Sequence, residues 1–138
     1  MFRSSQCVEA AFDELDIMYD KVDSNPDMYI TGISVENYEE GFNFLCQCND
    51  ENQIQLFAVL VKNVEEEKAE RLIEQLAEIN RDLRFFSLFL DDDNSVVLAY
   101  TYFMVQSFDE SKHQLISLMD SAMNAINSFI PDILTYVV

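Results

Sequence analysis

The segment RFFSLFLDDDNSVVLAYTYFMV, residues 84–105, constrains the fold more tightly than any other part of the chain. Two runs rich in Phe, Leu, Val and Tyr flank the polar stretch 91–95, the pattern of an antiparallel hairpin. In the first run Phe86, Leu88 and Leu90 alternate to one side, and Phe85 and Phe89 to the other. In the return run Leu98, Tyr100 and Met104 oppose Val97, Ala99, Phe103 and Val105. A sheet with one face in water alternates apolar with polar residues. Both faces are apolar here, so both need a cover. The chain's own helices are one source of the second cover, and a second copy in a homodimer is the other.

Around this hairpin the periodicity changes. Val8, Ala11, Phe12, Leu15 and Met18 recur at helical spacing and predict an amphipathic helix over residues 4–19. Asn25, Pro26 and Asp27 mark a turn. Three extended segments follow near 28–35, 41–48 and 53–61, separated at 39–41 and 49–52. Asn63 with Glu66 three residues on reads as a helix start, and Ala69, Leu72, Ile73, Leu76, Ile79 and Leu83 form the stripe of the helix it opens. Ser107 and Glu110 repeat the capping pattern before a last helix striped by Leu115, Ile116, Met119, Ala122, Met123, Ile126 and Ile130, which Pro131 is expected to end or bend. The expected order is α-βββ-α-ββ-α. That is an α+β fold, an antiparallel sheet packed with helices, in one domain over residues 1–138.

Charge narrows the partners. The chain has 26 acidic and 8 basic residues, a net of −18, which repels phosphate backbones and anionic lipid headgroups. Neither nucleic acid nor a membrane surface is therefore expected. The N-terminal residues lack the apolar core of a signal peptide, and no apolar run is long enough to span a bilayer. Cys7, Cys46 and Cys48 are an odd set, and the last two are too close along a strand for an unstrained disulfide. A reducing cytoplasm is the expected compartment.

The residues that carry chemistry do not assemble into a motif. His113 is the sole histidine, so no second imidazole supports a common zinc site and no Ser or Cys motif points to a triad. Asp91, Asp92 and Asp93 open like a calcium loop, but the sixth position is Val96 rather than Gly and the twelfth is Tyr102 rather than Glu. A charged hairpin turn accounts for them, with at most weak cation binding. Glu65–Glu67 suit the positive end of a helix dipole. Cys46 and Cys48 lack a further pair of ligands and read as small core residues. With only Gly32 and Gly41 in the chain, no glycine-rich phosphate cradle exists. No catalytic residue, metal or cofactor is expected.

From residue 56 onward the sequence FAVLVKNVEEEKAERLIEQLAEINRDLRFFSLFLDDDNSVVLAY resembles the core of the YbjN domain family. In that family a strand leads into a helix with an asparagine near its end, then a phenylalanine-bearing strand, an acidic turn and an apolar return strand. Residues 56–61, 65–83 with Asn80, 85–90, 91–94 and 96–100 correspond, and the closing helix with Phe129, Ile130 and Pro131 is similar. The resemblance implies a fold like that of the type III secretion chaperones, which are small, acidic and commonly homodimeric. The family is named for sensory transduction regulators and brings no catalytic residues. The expectation is a non-enzymatic protein-binding module, chaperone-like or regulatory, acting as a homodimer on a protein partner or client. An acidic antagonist of the immunity type, neutralising a basic partner, is the alternative. Phe12, Phe85, Phe89, Tyr102 and Phe103 are the candidate contacts, against the commoner fate of an aromatic, which is burial in the core.

Overall fold

The computed structural model describes residues 1–35, 38–105 and 107–137. The elements in chain order are α1 (Arg3–Glu14), β1 (Asp20–Val22), β2 (Asn25–Val35), β3 (Tyr38–Cys48), β4 (Gln53–Val61), α2 (Glu66–Asp82), β5 (Ser87–Leu90), β6 (Val96–Phe103) and α3 (Phe108–Val137). The strands form one antiparallel sheet in the order β1-β2-β3-β4-β6-β5. The α+β architecture is as expected, with one strand more. β1 lies between the helix expected over residues 4–19 and the turn expected at 25–27, where no element was expected.

The reason for that difference lies at the end of α1. Asp16 adopts φ 55°, and the Ile17 amide donates to the Phe12 carbonyl at 2.9 Å. A residue in the left-handed region, with a bond spanning the last turn, ends a helix as glycine usually does. Aspartate tolerates that region, so no glycine announced the stop. The chain leaves the helix at Glu14, and Met18 stands 92 % exposed rather than on a buried stripe. The turn before β2 sits at residues 23–24 rather than 25–27, and Pro26 falls near the start of β2, beside a break in the β1–β2 register. Proline is tolerated at such places.

Other helix signals fared unevenly. Ser107 caps α3, accepting the Glu110 amide on its hydroxyl at 3.2 Å and the Ser111 amide on its carbonyl at 2.9 Å. Asn63 does not cap α2. It takes φ 53°, and Glu65 occupies the cap position without a side-chain bond. Ile73 is 56 % exposed, one position off the buried line of Ala69, Leu72 and Leu76. Pro131 neither ends nor shortens α3, which continues to Val137. The proline lies on the exposed side, as does Asn127, whose carbonyl it leaves without an amide donor, while Ile130 and Ile133 are buried. The freed carbonyl belongs to an exposed residue, where a helix tolerates the loss, and the packing of Ile130 and Ile133 holds the last turn.

The helices cover one face of the sheet. Ile54, Leu56, Ala58 and Leu60 of β4 are buried, and they share a core with Phe44, Cys46 and Cys48 of β3, Leu98 and Tyr102 of β6, and the apolar sides of all three helices. Asn80 ties α2 to the sheet edge. Its amide nitrogen donates to the Leu88 carbonyl at 2.8 Å, and its oxygen accepts from the Leu88 amide at 2.7 Å. The side chain thus supplies both partners of a buried strand residue. Asn80→Ala is expected to cost about 2–3 kcal/mol, because it removes two bonds and strands two backbone groups. Urea unfolding would measure it, and a loss below about 0.5 kcal/mol would mean that β5 finds other partners.

Candidate functional site

The site is the face of the sheet that the helices leave open. Ladder positions opposite the buried ones place Ile30 of β2 beside Leu45 of β3, Leu45 beside Phe57 of β4, and Phe57 beside Ala99 of β6. Val59 pairs with Val97, and Val97 with Phe89 of β5. Strands that alternate should put polar residues on this side. Instead an apolar band crosses five strands, and no element covers it among the described residues. The hairpin's need for two covers is met on one face only.

Two hollows lie along the band. The larger, of about 780 Å³, is lined by Ile30, Gly32, Leu45 and Val59, with Lys62 at its rim. The smaller, of about 320 Å³, lies between Phe57, Phe89, Val97 and Ala99, with Asp91 at its rim. Gly41 borders the larger hollow at φ 64°, where a Cβ would stand 2.6 Å from the Ile33 carbonyl oxygen. Only glycine fits that bulge.

Among the described side chains the band also lacks charge. The polar residues described on this face between Met28 of β2 and Phe89 of β5 are Ser34, Asn43, Gln47, Gln53, Gln55, Thr101 and Ser87, none of them ionisable, and the charges of Lys62 and Asp91 stand at the rims of its hollows. A carboxylate appears at the β1 edge, where Asp20 pairs with Ile30. A quarter of the chain's residues are charged, so a neutral surface of this extent is a selective feature.

The five aromatic candidates separate. Phe12 is wholly buried, stacked near Tyr19 at 5.2 Å and Tyr29 at 6.4 Å between ring centroids. Tyr102 is buried too, its hydroxyl donating to Gln114 of α3 at 2.9 Å. Neither offers a surface contact in this fold. Phe89 and Phe103 are 44 % and 55 % exposed and stand on the open face. Phe85 is 62 % exposed but does not share their side. It precedes the strand at φ 67°, with the Phe86 amide bonded to the Arg84 carbonyl at 2.7 Å, and its ring meets Tyr100 on the helix side at 5.8 Å. That tight turn breaks the alternation assumed for residues 85–90. Ile30, Leu45, Phe57 and Val59 were missed as site residues. QIQLFAVLV is apolar at both parities from Leu56 on, the signal already used for the hairpin.

The remaining candidates have structural roles. Asp91 accepts the amides of Asp93 and Ser95 on one carboxylate oxygen, each at 2.9 Å, which builds the hairpin turn. Among the described residues no three His, Cys, Asp or Glu side chains converge on a metal position. His113 is exposed beside Asp109 at 3.6 Å. Burial pushes the Cys7 thiol up to about 11 and raises those of Cys46 and Cys48, so none is poised as a thiolate.

Glu9 fastens α1 to the sheet. Its carboxylate accepts the Tyr29 hydroxyl at 2.5 Å and the Tyr19 hydroxyl at 3.3 Å, and Lys21 lies 3.4 Å away. Burial raises its pKa, but the bonds from Tyr29 and Lys21 outweigh burial and hold the carboxyl below its ordinary 4.5. A depressed carboxylate stabilises the fold above its unfolded pKa and loses that contribution as pH falls through the folded one. The stability gap between wild type and Glu9→Gln is therefore expected to be full near neutrality and to shrink below pH 4.5. Denaturant midpoints across pH would show this, and a gap independent of pH would rule it out.

Six strands backed on one side by three helices, with an apolar sheet face left open, define a chaperone-like α+β protein. The family model for "T3SS (YopN, CesT) and YbjN peptide-binding chaperone 1" matches residues 6–132, and the chain belongs to that family. Its fold is similar to the crystal structure of YbjN from E. coli, with TM-score 0.65 and 16 % identity over 92 % of this chain and 91 % of that one. It is also similar to an uncharacterized protein from Methanothermobacter thermautotrophicus, with TM-score 0.52 and 16 % identity over 98 % and 99 % of the two chains. No curated protein matches the sequence. A protein-binding module is what the family and the open face support together. No helix among the described residues is long and apolar enough to cross a membrane.

Proposed function

We propose that the chain is a non-enzymatic, chaperone-like peptide-binding module that works as a homodimer, two copies closing their open sheet faces on each other. The observation that carries this reading is the neutrality of the face. A chain of net −18 repels its own copy at most approaches, and the described side chains of the band from Ile30 to Phe89 bring no carboxylate against another. Shape supports it as well. Phe89 projects on the β5 side, whereas the larger hollow, bordered by Gly32, lies on the β2–β3 side. A two-fold axis near β4 brings each projection over the other copy's hollow. Strand spacing gives a face of roughly 500 Å² per copy, which reaches the ~1,000 Å² in total that a specific interface needs. The cytoplasm suits this reading, since its reducing poise keeps Cys7, Cys46 and Cys48 as the free thiols they are.

The second reading, an acidic antagonist of a basic partner, draws on exposed carboxylates such as Glu66, Glu67, Glu70, Glu74 and Glu78 of α2. It calls for binding that collapses between about 50 and 500 mM salt, which dimer formation on a neutral face does not. For the dimer, light scattering at about 100 μM is expected to give twice the chain mass. Phe57→Arg combined with Val59→Arg is expected to give a folded monomer. A monomeric wild type, or a variant still dimeric, defeats the proposal.

A further inference from the structure

α1 has 12 residues and α3 has 30, and the mismatch opens a groove on the helix side of the sheet. Lys112 meets Glu14 at the end of α1 at 3.0 Å, and from there α3 runs on past α1, with α2 packed against its later part through Tyr136 and Gln75. Between them lies a hollow of about 210 Å³ lined by Leu15, Ile17, Ile33, Ile116 and Met123, with Phe44 and Met119 buried beneath. Its one hydroxyl, that of Thr31, donates to the Met18 carbonyl at 2.8 Å and is not available to a ligand. The hollow is below the roughly 300–1,000 Å³ of small-molecule sites and suits one or two apolar side chains. Two methionines make its wall adaptable.

The rim is acidic. Asp120 lines the groove and accepts the Asn124 side-chain amide at 3.5 Å. Asp13 and Asp16 are exposed and flank the Glu14–Leu15 corner in the chain, and among the described residues no Lys or Arg lines the hollow. An apolar slot edged by carboxylates on a chain of net −18 is complementary to one chemistry.

We propose that this groove, formed by the α1–β1 corner and α3, binds the client: a peptide segment that plugs it with one or two large aliphatic side chains and carries Lys or Arg beside them. The proposal rests on the reading of the chain as a peptide-binding module. The groove lies on the helix side and the dimer face on the other, so a dimer presents two grooves pointing away from each other and holds a long client at two points.

Met28 belongs to the open face, whereas Met119 and Met123 belong to the groove, so methyl-labelled methionine separates the two surfaces in one sample. The probes are 15-residue peptides bearing paired leucines flanked by lysines, the same peptides flanked by glutamates, and lysine peptides with serine in place of leucine. The lysine-flanked leucine peptides are expected to shift the Met119 and Met123 methyl signals and leave Met28 unmoved. Both other sets are expected to bind at least about tenfold more weakly. Leu15→Ser, at a 39 % exposed position, is expected to weaken binding by about tenfold while the protein stays folded. Asp120→Asn is expected to weaken it by a few fold and flatten its salt dependence. The Phe57→Arg, Val59→Arg variant is expected to bind the peptide as well as wild type does. Shifts at Met28 alone, equal binding of the serine peptides, or no binding by any lysine-flanked leucine peptide overturns the groove. A monomeric wild type that still binds there overturns only the dimer.

Discussion

The sheet's period of two, read along β4, governs the rest of the molecule. Ile54, Leu56, Ala58 and Leu60 seat the helices, and the residues between them form the open face. One strand therefore specifies the core and the interaction surface at once. A slip of one residue in its pairing would put Gln55 and Phe57 under the helices and expose the core line. The register breaks between Val59 and Val61 against β6, and between Ile33 and Val35 against β3, fall at the ends of ladders, where they bend the sheet without exchanging its faces. The bend near Gly41 helps make the larger hollow.

Charge is distributed to suit that division. Carboxylates crowd the turns and the backs of the helices, where water solvates them, and the described side chains of the band between Met28 and Phe89 include none. Apolar burial is the driving force for covering such a face. Electrostatics decides which cover is tolerated. A sheet face free of charge admits an acidic twin, and a slot rimmed with Asp120 and its neighbours favours a cationic client. The same net charge thus acts in opposite ways on the two sides of one sheet.

Much of this was legible in the sequence, for reasons that can be named. The hairpin turn at Asp91, the Ser107 cap and the stripe of α3 are local signals: each depends on residues within a few positions of one another. The open face was legible in part. Apolar residues at both parities flagged the hairpin, and the same test on QIQLFAVLV would have extended the face across β4. Three features were hidden because they depend on backbone conformations that the residue type does not demand. Asp16 and Asn63 take left-handed φ values where glycine would have been read as a stop, and Phe85 takes one that few bulky residues adopt. Those choices shortened α1, moved the start of α2 and turned Phe85 away from Phe89. The groove at the end of α1 could not be foreseen, because it exists only where that helix stops.

The seating of α1 has a consequence in time. Part of its seating depends on residues made much later: Arg3 stands 5.9 Å from the Phe108 ring, Glu14 pairs with Lys112, and Cys7 lies in the core with Cys46 and Cys48. A 12-residue helix is marginal alone in water. At ~5–20 residues per second, roughly 5–20 s separate the synthesis of Cys7 from that of Leu115, which completes its bed. For that interval the stripe of Val8, Ala11 and Phe12 has only part of its cover, the rings of Tyr19 and Tyr29 beside Phe12. A member of a family of peptide-binding chaperones thus passes, in each round of its own synthesis, through a stage at which one of its own segments lacks cover.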